Sequence, residues 1–411
     1  MGEKFNGLDV LGEEYFADPH AYHARLREQR AATEVVLPRG SRAWLVTRYE
    51  EARAALADPR FKKHYEGFPR VMELSQTRPV EAGVFAESLT RHMLNVDPPD
   101  HTRLRKLVTK AFTARRVEQL RPRVQEITDR LLDEAGEAAG RGPLDLVDAL
   151  AFPLPITVIC EMLDVPMEAR EDFRAWSNVL VGGSEPADIE AAGKAMAGYL
   201  FELVEHKRAT PGEDFFSALV HASEDGDRLD QGELIAMAFL LLVAGHETTV
   251  NLIANGVFHL LRHPEQLAAL RDDRSLLPGA VEEFLRYESP VNQATFRYTT
   301  EDVELGDVVI PADSLVLVSL LAGNRDSAKF PDADRFDITR PTGGHLAFGH
   351  GLHFCLGAPL ARLEGEIAVG ALLERFDVTP AERLDALPWR PGTLIRGLVS
   401  LPVNLTPRGP R

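Results

Sequence analysis

At 411 residues, with 45% hydrophobic and 27% charged residues and a formal net charge of −17, the chain can bury a large core but lacks the basic balance nucleic acid would want. Two cysteines in this length exclude a disulfide framework and fit a reducing cytoplasm. Met1–Asn6 carry no apolar run, and the longest uncharged apolar run, Leu234–Gly245, is shorter than the ~18 residues of a membrane span. A cytoplasmic chain without a targeting segment or membrane partner is expected.

Asp18-Pro19 reads as an N-cap and first-turn proline opening a helix to Arg30. Arg42–Thr47 is strand-like, and Tyr49–Leu56 is helical with Asp58-Pro59 as its stop. From Phe61 to Asp100 the pattern dissolves around Lys62, Gly67, Pro69, Pro79, Gly83, Pro98 and Pro99, as expected of a ligand-covering loop. Helical spacing then runs through His101–Thr113, Val117–Ala138, Ile156–Leu163, Met167–Val179 and Ile189–Arg208, with a break at Gly182–Pro186 that reads as a second lid. Asp230 and Glu233 form a capping-box pattern for the longest element, Gln231–His263, roughly 50 Å at 1.5 Å per residue. Helices at Leu277–Tyr287 and Ala358–Phe376 enclose strand-like pieces at Thr295–Thr299, Val303–Leu305, Val308–Ile310 and Leu315–Leu320, and Gly392–Leu405 reads as a terminal hairpin. The class is mainly α with a small β portion.

Chemistry concentrates in a few short stretches. Phe348-Gly349-His350-Gly351-Leu352-His353-Phe354-Cys355-Leu356-Gly357 stands immediately before the helix from Ala358. A thiolate at a helix start is stabilised by free N–H groups, and glycines let a backbone lie against something flat, so the loop reads as a mount presenting one sulfur to a metal. The competing reading is a buried hydrophobe, which is how Cys160 reads among Ile156, Ile159 and Leu163. In the longest helix, Ala244-Gly245-His246-Glu247-Thr248-Thr249 interrupts an apolar run. Glycine there costs about 1 kcal/mol, and hydroxyls bond back to the preceding turn. Either a ligand-holding break with a proton relay or a simple kink with a satisfied glutamate follows. Glu283 and Arg286 at i, i+3, and His101 and Arg105 at i, i+4, are by themselves ordinary helix-face pairs.

Taken together these stretches resemble the cytochrome P450 family of haem-thiolate monooxygenases. The loop 348–357 matches F-G-x-G-x-H-x-C-x-G at every fixed position, Ala244–Thr248 matches the oxygen-binding A/G-G-x-D/E-T, and Glu283–Arg286 matches E-x-x-R. The resemblance covers nearly the whole chain. It implies a single domain over 1–411, with β portions from about the first 60 residues, 291–320 and 392–405, and haem b sandwiched between the long kinked helix and the helix after the cysteine loop. Cys355 would be the axial ligand on haem iron, with Phe348, Gly349 and Gly357 packing beneath the porphyrin and Ala244 and Gly245 making room above it. His101, Arg105, Arg297 and His353 would bind the propionates, although Tyr298 follows Arg297 where many bacterial members have a small residue. Thr248 and Glu247 would relay protons. Glu283, Arg286 and Arg335 would form a structural ionic triad.

The resemblance further implies an enzyme that inserts one oxygen atom of O2 into an unactivated C–H or C=C bond. The chain has no flavin or nicotinamide fingerprint, so electrons would come from an external ferredoxin and ferredoxin reductase, with Arg103, Lys106 and Lys110 as a docking patch. Leu240, Val243, Val291, Asn292, Ala294 and Ile395 would line the pocket, mostly aliphatic, which suits a sizeable hydrophobic small molecule. Wording around Val243–Gly256 and His345–Glu364 is most similar to actinobacterial antibiotic-tailoring members, especially macrolide hydroxylases. A monomer is expected. A peroxide-driven peroxygenase and a non-catalytic haem sensor are the alternatives.

Overall fold

The computed structural model describes residues 4–77, 89–181, 185–224, 227–341 and 343–409. Helices dominate, and the strands of the described residues gather into four sheets. The largest sheet has seven strands in the order Lys4–Phe5, Leu8–Val10, Ala32–Val36, Arg42–Val46, Leu315–Val318, Arg297–Thr299 and Phe61–Lys62. Leu315–Val318 lies parallel to Arg42–Val46 and antiparallel to Arg297–Thr299. All four of its residues are buried, as an uninterrupted apolar strand should be when both faces are covered. Val316 and Val318 pack with Val46 on one face, while Leu315 and Leu317 pack with Leu45 and Tyr298 on the other.

The chain does not end in its own hairpin. Pro402–Pro407 pairs antiparallel with Phe376–Pro380, which directly follows the helix Ala358–Arg375, and with Leu144–Asp145 on its other edge. The segment in between is held by isolated bridges, Trp389 to Leu398 within it and Ile395 to the distant Val291.

The longest helix, Gln231–Arg262, is the axis of the molecule. Asp230 Oδ1 accepts from Glu233 N at 2.8 Å and Glu233 Oε2 accepts from Asp230 N at 2.9 Å, completing the capping box. Pro264 ends it and also opens the next helix, Pro264–Asp272, from the first turn where a missing N–H costs nothing. By length and composition this central helix would pass for a membrane span, because few charges interrupt it beyond Gly245. Yet 72% of its apolar window is buried inside the fold. The helices Pro153–Met162, Pro186–Ala209, Leu277–Tyr287 and Ala358–Arg375 surround it.

The irregular stretch expected over 61–100 contains a helix, Phe68–Ser75. Pro69 was read as a breaker but stands in its first turn, where proline is tolerated. Residues 78–88 of that stretch, and Gly182–Ser184 of the second expected lid, lie outside the described residues. The run 117–138 is divided, with Ala114–Gln119 capped by Thr113 and Arg121–Ala139 opening on Pro122. Cys160 is fully buried, as a core cysteine should be.

Candidate active site

The cysteine loop is built by two left-handed glycines. Gly349 has φ +74° and its N–H donates to Leu346 O at 2.7 Å. Gly351 also has φ +74°, and a Cβ there would lie 3.0 Å from Leu56 O and 3.1 Å from Ala57 Cα. That glycine therefore lets the loop press onto the helix Tyr49–Ala57. Cys355 N donates to Phe348 O at 2.8 Å, which folds the loop back under its own cysteine. Gly357 is the N-cap of the helix Ala358–Arg375. Surrounding protein raises the Cys355 thiol pKa, opposed by the N–H of Gly357, the charge of Arg105, the N–H of Ala358 and the charge of Arg362. Phe348 is buried, and the Arg362 guanidinium stacks over it at 4.6 Å.

The four expected anchors come together. His101 and His353 meet at 4.4 Å between ring centroids, and Arg105 lies one turn along from His101 on the helix Asp100–Ala111. His101 is 3% exposed, and neither of its ring nitrogens has a hydrogen-bond partner. Arg297 is buried, and desolvation lowers its pKa to about 10 against the pull of Asp97. Lys63 and His92, which sequence reading did not single out, join this cluster. Burial and the Arg297 charge push Lys63 well below its ordinary range, and burial and Lys63 push His92 down to about 3. A buried group of cations with unpartnered imidazole nitrogens calls for an anion. The two carboxylates of a haem whose iron faces the cysteine loop fit that demand. Tyr298 is no obstacle to Arg297: its ring fills the space left by Gly67, where any Cβ would overlap the hydroxyl, and Tyr298 Oη donates to His64 O at 3.1 Å.

On the central helix, Ala244 is exposed and Val243, Gly245 and Thr248 beside it are half-buried, so this turn faces an open space. The expected break is not there. The helix is continuous from Gln231 to Arg262, while Thr248 Oγ1 donates to Ala244 O at 3.0 Å and Asn251 Nδ2 to Glu247 O at 2.8 Å. Side chains back-bond to the turn without unwinding it. A Cβ on Gly245 would meet Ile159 Cδ1 at 3.1 Å, so this glycine serves the close approach of two helices.

Glu247 is buried and accepts from Arg390 Nη1 at 2.8 Å. Arg390 sits in the segment before the last strand, and no periodic signal marks it. The same segment is fastened to the central helix by Asn255 Nδ2, which donates to Arg396 O at 3.1 Å, and by Asn251, whose side chain occupies the space beside Gly397.

The ionic triad needs one correction. Glu283 and Arg286 are fully buried and paired at 2.7 and 2.8 Å. Arg335, however, is 67% exposed on its side chain and 3.8 Å from Asp337, and gives Arg286 only its backbone carbonyl. The second guanidinium at Glu283 belongs to Arg340, whose Nε lies 3.6 Å from Oε1. Arg335 points outward from a turn whose carbonyls, at Asp332 and Arg335, bind Arg340.

Of the expected pocket residues, Val291 and Ile395 are bridged and Asn292 N donates to Leu394 O at 2.8 Å. Leu240 is buried and Val243 and Ala294 are half-buried. The Asn292 side chain is committed elsewhere, donating to Tyr15 Oη at 2.7 Å. Arg103 is likewise withdrawn from the expected docking patch, bound to Glu233 and, at 3.4 Å, to Asp227.

A thiol loop, an anion cradle of histidine and arginine, and an acid–hydroxyl turn on a central helix define a haem-thiolate oxygenase site. The chain belongs to the cytochrome P450 family, whose model "Cytochrome P450" matches residues 179–404. It is 57% identical over 97% of each chain to "Cytochrome P450 107B1" of Saccharopolyspora erythraea. It is 46% identical to "6-deoxyerythronolide B hydroxylase" of the same species, covering 97% of this chain and 98% of that one. The solved structure of the tirandamycin C-bound P450 monooxygenase TamI matches with TM-score 0.88 and 49% identity, over 97% of this chain and 100% of that one. The protein is thus a P450 monooxygenase with a haem cofactor, mainly α with a small β portion.

Proposed function

We propose that this monooxygenase hydroxylates a macrolide- or polyketide-like small molecule in the cytoplasm, as a monomer, with electrons from a ferredoxin and its reductase. Haem held by Cys355 supplies the dioxygen-activating redox chemistry. His101, Arg105, Arg297 and His353 hold the propionates through charge-assisted bonds. Thr248 offers its hydroxyl on the open side of the central helix, and Glu247, turned to the buried side, takes up protons from solvent and relays them through water to Thr248. Arg390 holds that carboxylate in place.

The observation that carries this reading is the Glu247–Thr248 turn, with its hydroxyl facing the open space and its acid anchored by a partly exposed arginine. A peroxygenase or a haem sensor has no use for such a path. The aliphatic lining supports the substrate class, as do relatives named for 6-deoxyerythronolide B and tirandamycin C.

Two measurements test it. Purified protein with a ferredoxin and reductase is expected to give electron-dependent product, lost in Thr248→Ala. Peroxide-driven turnover indifferent to that substitution would point to the peroxygenase instead. A type I spectral-shift screen is expected to pick out macrolides and other polyketides over fatty acids, terpenoids and steroids. Charge reversal at Lys106 or Lys110 is expected to weaken ferredoxin affinity, and no change would remove the docking face from the proposal.

A further inference from the structure

The cations gathered beside the cysteine loop exceed the four anchors that the motifs announce. Lys63 is 2% exposed. Its ammonium donates to Thr295 Oγ1, and no carboxylate among the described residues binds its Nζ. Asp97 faces it, but both Asp97 oxygens accept the backbone N–H of Lys63, at 3.3 and 3.1 Å, and one accepts that of His64 at 3.1 Å. An ammonium this buried does not persist without a counter-charge.

The sheet explains how it got there. Phe61–Lys62 is the edge strand beside Arg297–Thr299, with Phe61 opposite Thr299 and Lys62 opposite Tyr298. Continuing that register by one residue sets Lys63 beside Arg297. Both side chains then converge on one residue, since Arg297 Nη1 donates to Thr295 O at 3.0 Å while Lys63 takes the Thr295 hydroxyl. The cluster thus holds three cations, Lys63, Arg105 and Arg297, against one carboxylate, Asp97. Two positive charges are left over, and a haem brings two propionates.

We propose that Lys63 is a haem-propionate ligand, sharing one propionate with Arg297 while Arg105 and the His101–His353 pair take the other. The proposal rests on the haem-thiolate site above and adds to it the residue that makes the cradle electrically neutral.

The test uses the holoprotein. Haem transfer to apomyoglobin is expected to be ten- to a hundredfold faster in Lys63→Met, the range for losing one charge-assisted hydrogen bond. The ferric/ferrous potential is expected to fall, because removing a neighbouring cation disfavours the added electron. The propionate bending band in the resonance Raman spectrum is expected to shift. Lys63→Arg, which keeps the charge, is expected to release haem within about threefold of the wild-type rate. Lys63→Gln carries the same comparison in a polar background should the methionine variant fail to fold. Haem release, potential and Raman band all unchanged in the uncharged variants would overturn the proposal, as would equal losses in Lys63→Arg and Lys63→Met. A wild type lacking the ferrous–CO thiolate spectrum would instead sink the underlying site, so the two failures are distinguishable.

Discussion

Arg340 and Arg335 provide a sharp test of how the ground beneath the haem is held. Arg286 sits fully buried with its guanidinium satisfied by Glu283, by Asn324 O at 2.9 Å, by Ala333 O at 2.8 Å and by Arg335 O at 3.2 Å. Glu283 accepts in addition from Asp337 N at 2.9 Å and faces Arg340. Replacing Arg340 by methionine leaves the fully buried carboxylate with one cation fewer. It also takes a donor from the carbonyls of Pro331, Asp332 and Arg335, although Asp332 O keeps the N–H of Arg335 and Arg335 O keeps Arg286. Part of that is recovered by water at the turn's outer edge, so the expected loss is about 2–4 kcal/mol, below the full cost of stranding a buried charge. Arg335→Met removes an exposed side chain with one loose ion pair, and is expected to stay within about 0.5 kcal/mol of wild type. The assay is urea unfolding of the holoprotein, comparing midpoints at a common slope. Equal losses in the two variants, or a larger one in Arg335→Met, would refute the assignment of Arg340 to the triad.

Arg390→Met is expected to lower turnover about tenfold and to add nothing on top of Glu247→Gln, because both act through one carboxylate; additive losses in that cycle would separate them. Gly351→Ala, which combines a left-handed φ with a Cβ pressed onto Leu56 O, is expected to cost about 1–3 kcal/mol and to show first as faster haem loss. Glu364 is buried with Oε2 unpartnered, and burial lifts its pKa to about 8. Its folded value is above its unfolded one, so the penalty is absent below about pH 4.5 and grows as pH rises towards 8. Glu364→Gln should therefore be more stable than wild type at pH 8 and no different at pH 4, as read by urea midpoints at both values. Glu282 works the other way. Burial would raise it, but His345 and Arg362 outweigh burial and hold it at about 2, so its contribution is present above about pH 4.5 and is lost as pH falls towards 2. Glu282→Gln should flatten the acid limb of the stability profile.

How much of this was legible in the sequence depended on whether the signal was local. The cysteine loop, the capping box at Asp230–Glu233 and the Glu283–Arg286 pair are defined by residues a few positions apart, and the structure has each of them. Arg335 against Arg340 was not decidable that way. The two arginines flank Asp337 and differ in which side of a turn they leave from. Pro69 looked like a stop and is a start, and Pro264 is both, because proline's tolerance in a first turn depends on where the turn begins. Lys63 left no local signal. It stands one residue past the short strand Phe61–Lys62, and the repeat of two lysines does not say which of them is buried.

Glu247 shows what such a reading leaves out. The motif Ala244–Thr248 names the acid and the hydroxyl, and suggests a broken helix to set them apart. The helix is unbroken, so the separation comes from elsewhere. Adjacent residues of a helix already point to different sides, and Glu247 is kept on its own side by a segment more than a hundred residues later in the chain. That segment is itself tied down by Asn255, two turns along the same helix, and packs on Asn251, one turn along. The central helix therefore carries both the acid and the clamps for the arginine that orients it. A substitution at Asn255 or Gly397 should accordingly disturb proton delivery without touching the haem. Haem release would stay at the wild-type rate while turnover falls, which is the opposite pattern to the one expected at Lys63.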